Sequence, residues 1–317
     1  MSIEFKSPSV GISGYIGMRV VNKEDGKERW TNIDPVTKRG PKNLIVDGGL
    51  NKLGSTSAAT ASTYCRVGTG TTAPANSQSS LVSQFGTSSN SGGTGTSTNS
   101  GGAPWWHEYE REYQFNAGTV DGAALTEVGF FDSTTGGTMF SRNLIKDSGG
   151  TPTSITLTSS EVLYVTYVIR VSVPNSDVTG TFQINSEDYN YTVRAAEADV
   201  DLAWGAQYQI TLPSEVLIFS TQTLGAIDSR PGGSPLEATD SADSYVNLSN
   251  ERTGSLTCSD SQGNASGGIG SFAFGRNNSF PSFQVSVDKV SDGSKIPKDN
   301  TKTLTMNSAF KISWDRV

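Results

Sequence analysis

The run from Glu161 to Val173 constrains the fold more than any other stretch of this chain. Leu163, Val165, Tyr167, Ile169, Val171 and Val173 occupy every second position, with Tyr164, Thr166, Val168 and Arg170 between them. A period of two puts the first set on one face of an extended strand, whereas a helix would scatter them around its surface. A strand this long and this apolar suits the centre of a sheet, with neighbours on both sides. Trp105–Phe115 repeats the pattern. Trp105, His107, Tyr109, Arg111, Tyr113 and Phe115 share one face, and Trp106, Glu108, Glu110, Glu112 and Gln114 the other.

Shorter runs of the same kind recur along the chain. Tyr15–Val21 and Glu28–Ile33 flank a turn at Asp25-Gly26, and Leu125–Asp132 and Thr138–Leu144 flank another at Gly136-Gly137. Tyr64–Val67, Val178–Ile184, Asn190–Ala195, Tyr208–Leu212, Val216–Ser220, Phe283–Val287, Leu304–Met306 and Phe310–Trp314 add further strand segments. With 35 glycines and only 17% charged residues among 317, many short strands joined by tight turns are expected. The expected fold is all-β: two β-sandwich-like domains with long polar loops and at most one or two short helices. One short helix is expected within 43–54, burying Leu44, Leu50 and Leu53, with Asp47 as its cap and Gly54 as its stop. A turn of helix over 195–203 is the other.

Residues 1–14, rich in Ser, Gly and Pro, read as an N-terminal arm. A first domain spans 15–174 and ends at Pro174-Asn175-Ser176-Asp177; a second, of unknown role, spans 175–317. Within the first, Leu81-Val82 and Phe85 are the only anchors before the Gly/Ser/Thr stretch 86–102, read as a flexible loop or hairpin tip.

Little in the chain points to catalysis or to a cofactor. Gly68-Thr69-Gly70 lacks the Lys and following helix that a phosphate loop needs, so it reads as a turn in which a strand leaves a sheet, closed by Pro74. Cys65, Cys258 and the single His107 do not make a zinc site. The two cysteines read as buried thiols, with one bridge as the alternative. Glu108, Glu110 and Glu112 form a solvent- or subunit-facing charge row. Read instead as a calcium site, they lack looped geometry and carbonyl ligands. His107, on an aromatic strand face, reads as a core or interface residue rather than a catalytic base. No catalytic, cofactor-binding or metal residues are therefore expected. A net charge of −7 with no dense Lys/Arg run excludes a nucleic-acid groove, and no apolar run is long enough for membrane insertion or a signal core. The chain is expected to be made in the cytoplasm.

In order, the first half carries Asn43-Leu44-Ile45-Val46-Asp47-Gly48-Gly49-Leu50, Val67-Gly68-Thr69-Gly70-Thr71-Thr72-Ala73-Pro74, Leu81 and Leu125-Thr126-Glu127-Val128-Gly129-Phe130-Phe131. This order resembles tail-associated structural proteins of tailed bacteriophages. There, N-L-I-x-D-x-G-L, V-G-T-G-x-T-A-P and L-x-E-x-G-F-F mark a β-rich domain that helps attach or build tail fibres, collars or baseplates. The resemblance covers about residues 40 to 172 and offers no catalytic residues to carry over. It implies a virion component of the tail region, working by symmetric self-assembly as a ring or trimer, with copies of itself and other phage tail or neck proteins as partners. Two alternatives stand beside it. One is a carbohydrate-binding β-sandwich that stacks Trp105, Trp106, Tyr109 or Trp204 on a host surface glycan, positions that otherwise read as core or interface. The other is a capsid decoration protein.

Overall fold

A computed structural model describes residues 3–31, 40–89, 91–99, 102–196, 215–236, 238–240, 243–265, 267–275 and 282–317. The strands are β1 (Phe5–Lys6), β2 (Val10–Asn22), β3 (Glu28–Thr31), β4 (Lys42–Ile45), β5 (Tyr64–Gly68), β6 (Gln84–Ser88), β7 (Ser91–Asn99), β8 (Trp105–Phe115), β9 (Glu127–Phe131) and β10 (Met139–Leu144). They continue as β11 (Glu161–Val173), β12 (Val178–Ile184), β13 (Glu187–Ala196), β14 (Glu215–Phe219), β15 (Ala238–Asp240), β16 (Asp243–Tyr245), β17 (Glu251–Cys258), β18 (Ser271–Gly275), β19 (Ser282–Lys289) and β20 (Leu304–Arg316). Two short helices, α1 (Asp47–Leu53) and α2 (Ala58–Ala61), complete the described elements. The fold is all-β, as the period-two runs require.

β2 is the trunk. One edge pairs with β11 from Gly11 opposite Ser172 to Asn22 opposite Glu161. The other edge is shared in turn by β20 at Val10–Ile12, β4 at Gly14 and Tyr15, and β3 at Met18–Val21. β11 also pairs along its length with β8, and β8 with β7, so the alternating run is central as expected. Where β4 meets β2, a Cβ on Gly14 would lie 2.1 Å from Asn43 Oδ1, and only glycine allows that approach. From β4 the sheet continues through β10, β9 and β5 to β6 and forms a second layer. Phe130 of β9 stacks on Tyr167 of β11 with ring centres 3.8 Å apart and lies 5.3 Å from Tyr113 of β8, so the two layers close on an aromatic core.

Helix α1 forms where expected, but its ends differ. Val46 is the N-cap and makes no side-chain capping bond; Asp47, one position inside, ion-pairs with Arg316 of β20. Gly54 ends the helix in a right-handed conformation, φ −70°. Glycine is needed there because a Cβ would lie 2.3 Å from the Tyr245 ring. Gly49 is tighter still, since its Cβ would fall 2.0 Å from the Phe140 carbonyl oxygen of β10. Gly49→Ala is therefore expected to lower stability by about 1–3 kcal/mol through displacement of α1, outweighing alanine's helix propensity of about 1 kcal/mol. A chemical-denaturation midpoint measures it, and a neutral or stabilising result would contradict this contact. α2 was not expected; Ser57 caps it by accepting the Thr60 N–H at 3.1 Å.

The domain boundaries require correction. Residues 10–14 belong to the trunk strand, and Phe5 is buried in the core, so the described part of the expected 1–14 arm, residues 3–14, is not an arm. The stretch 86–102 is not a plain loop: β6 pairs with β5, and β7 with β8 from Ser91 opposite Tyr113 to Asn99 opposite Trp106. Of the expected anchors there, Leu81 is buried but Val82 and Phe85 are exposed. The break at 174 also fails, because β16, β17 and β20 join the first sheet, β20 by parallel pairing to β2. The remaining late strands form a six-stranded sheet in the order β12-β13-β19-β18-β14-β15. Its first hairpin turns through Asn185 and Ser186, both with positive φ, which matches the right-handed twist of the strands. One core cluster runs through both sheets, because the C-terminal strand supplies Phe310 and Ile312 to it. Tyr208–Leu212 lies outside the described residues, as do 197–203 of the expected helical turn, whose first two residues close β13.

Candidate functional site

Two of the stretches that carry the phage-tail resemblance meet at one buried ion pair, and Leu44 of the remaining one lies opposite its arginine in the neighbouring strand. Glu127 of β9 and Arg142 of β10 are both fully buried, with Glu127 Oε2 2.8 Å from Arg142 Nη2 and 2.9 Å from Nε. The same carboxylate gathers the loop that follows β5. Oε1 accepts the N–H groups of Gly70 at 3.1 Å and Ser83 at 2.7 Å, and Oε2 accepts that of Val82 at 3.1 Å. Arg142 holds the middle of the loop by donating to the Thr72 carbonyl at 2.8 Å and to Gln78 Oε1 at 3.0 Å.

Gly68 and Gly70 are required because a Cβ on either would strike Glu127, at 2.7 and 2.4 Å from Oε1. Burial alone would raise the Glu127 carboxyl, but the Ser83 and Val82 amides and Arg142 outweigh it and hold the pKa below the usual glutamate range. A carboxylate saturated in this way cannot exchange protons with a substrate; it fastens a loop. The sequence reading gave Glu127 and Arg142 no role. The available signal was an acid and a base, each alone in an otherwise uncharged strand of one hairpin.

The aromatic strand divides as its period dictates. Trp105, His107 and Tyr109 are buried, and Trp105 and Tyr109 have no free ring face for a sugar. Trp106 lies on the opposite, half-buried face beneath Arg170, whose guanidinium carbon sits 4.3 Å from the ring centre. The structure thus separates Trp105 and Tyr109 from Trp106, and Trp204 lies outside the described residues. On the outer face Glu108 pairs with Arg170 at 2.6 Å, and Glu112 pairs with Arg19 at 3.4 Å, so these members of the acidic row meet arginines. No group of three metal-binding side chains occurs among the described residues. Cys65 and Cys258 are buried and form no disulfide, which removes the bridge alternative; burial pushes the Cys65 thiol well above its ordinary pKa.

Two clefts among the described residues each exceed 400 Å³. One of about 490 Å³ lies between the ends of β8, β11 and the C-terminal Val317, and is lined by small residues such as Ser9, Gly11, Pro104 and Ser172. The other, about 460 Å³, is lined by Asn175, Asp177, Arg194 and Ile227. There Arg194 grips Asp177 through Nε at 2.8 Å and Nη2 at 2.6 Å and donates to the Gly225 carbonyl, so its charge is spent within the fold. No helix among the described residues is long and apolar enough to cross a membrane.

Comparison of the chain with protein-family models, with curated proteins and with solved structures gives no match. The resemblance to phage tail proteins therefore rests on the motif residues alone.

Proposed function

We propose that the chain is a structural component of a tailed bacteriophage virion, in the tail, collar or baseplate, that acts through symmetric self-association and contacts with neighbouring tail proteins rather than through catalysis. The observation that supports this is the convergence of the motif stretches. The 67–74 loop follows β5, which pairs with β9 of the 125–131 stretch, Glu127 binds that loop to β9, and β10 stands between β9 and β4 of the 43–50 stretch. Two stretches far apart in sequence thus share one buried node, and the 43–50 stretch lies one strand away across β10. The described charged pairs are engaged with each other, which favours a scaffold over a reactive site.

Two measurements on one preparation test this. Light scattering behind a sizing column should give a defined oligomer, and the chain should co-purify with tailed particles from cells that produce it. A protein that stays monomeric at high concentration and is missing from such particles would overturn the proposal.

A further inference from the structure

Between Arg66 and Glu108 the sequence contains no Asp, Glu, Lys or Arg. Copies of a chain with net charge −7 repel one another, and least where a surface carries no charge. This uncharged stretch contains β6 and β7, and both stand at sheet edges. Among the described residues β6 pairs only with β5, and β7 only with β8.

Edge strands are usually guarded by charge, proline or brevity. The edge strand β3 has four residues including Glu28 and Arg29, and β15 and β16 have three each. β7 has nine residues, an edge of about 30 Å, and none is charged or proline. β12 is also uncharged, but it turns Phe182 into the core and carries no large exposed apolar side chain.

The edge at β6 does carry them. The register slips between Gly86 and Gln84, which leaves Phe85 as the extra residue of a bulge. Phe85 is 49% exposed, and Val82, just before the strand, is 52% exposed. The two edges are continuous, since Ser88 Oγ donates to the Gln114 carbonyl at 2.6 Å and Ser91 lies opposite Tyr113, so the chain passes from one layer to the other at the same end of β8.

We propose that this rim, Val82 through Asn99, is the contact surface between two copies of the chain, related by a two-fold axis. The inference rests on the self-assembly reading above and adds which surface is used. A two-fold contact sets the uncharged rim against itself. Unpaired backbone groups of β7 find an extended strand, and Val82 and Phe85 leave water. Any charge placed there meets its own copy across the axis.

The test is the solution mass of the wild type, of Val82→Glu/Phe85→Glu, and of the control Val290→Glu at another half-exposed apolar site. The wild type should be an even multiple of 33.5 kDa; the double variant should fall at least twofold in mass, and the control should not change. Circular dichroism checks that the double variant keeps its sheet content. An odd multiple, a wild-type monomer, or a folded double variant of unchanged mass would each overturn the rim as a two-fold contact. Co-purification with tailed particles is scored separately, so loss of this contact and loss of the virion reading are told apart.

Discussion

Glu127→Ala is expected to lower the unfolding free energy by about 3–5 kcal/mol, because it leaves the fully buried Arg142 guanidinium without its carboxylate. The N–H groups of Gly70, Val82 and Ser83 lose their acceptor in the same step, so the loop from Gly68 to Gln84 should open before the sheets do. Hydrogen exchange would show this as early loss of protection at these amides. Removing both charges is a milder change: Glu127→Gln with Arg142→Met should recover part of the loss, since it leaves no buried charge unpaired. The pair also predicts an acid limb. Its folded carboxyl lies below the unfolded value of about 4.3, so its contribution is complete above that value and is lost as pH falls through the lower folded value. Asp132, held down chiefly by Lys52 and the Thr138 amide against its burial, acts in the same direction. The difference between wild-type and Glu127→Ala stability should therefore shrink below about pH 4. A cost under 1 kcal/mol at pH 7, or a gap that widens in acid, would contradict the buried pair.

The sequence is legible where one face of a strand carries apolar core residues at every second position and the other includes polar ones. β8 and β11 show this, since their ends coincide with the expected runs Trp105–Phe115 and Glu161–Val173. β18 is buried on both faces, and in Ser271–Gly275 Phe272 and Phe274 alternate with small residues over only five positions, too short a run to stand out beside the polar loop before it. The residues 86–102 misled through composition: Gly, Ser and Thr bury little apolar surface, but β7 needs only backbone pairing to β8 to form. The aromatic residues of β8 were legible as a strand face but not as core or ligand surface, because that depends on the opposing layer supplied by Phe130. The glycines of the 67–74 loop read from the sequence as turn residues. Their φ values are not positive; what requires them is the nearness of Glu127, a contact across the sequence that no local pattern encodes.

Phe5→Ala should cost about 3–5 kcal/mol, a large penalty for a residue in a segment that resembles a disordered lead-in. Its ring stands edge-on to Phe182 at 5.1 Å and Tyr191 at 5.3 Å, both in the six-stranded sheet, and lies 5.4 Å from Phe310 of the last strand. Phe272 completes the enclosure at 6.1 Å. A two-residue strand has little stability of its own, so pairing to β20 and the Ser7 N–H donated to the Lys311 carbonyl hold the segment while the ring fills the space between the sheets. The cavity left by alanine would be lined by aromatic rings fixed in two different sheets, which cannot collapse together without moving one sheet against the other. Wild-type protein should unfold in calorimetry as one transition, because a single core spans both sheets, and Phe5→Ala should split it or shift it strongly downward. Lys6→Ala, exposed one position further on, should change the midpoint by less than about 0.5 kcal/mol. If both substitutions proved equally silent, the N-terminal residues would be an arm after all, and the two sheets would have to be joined by the C-terminal strand alone.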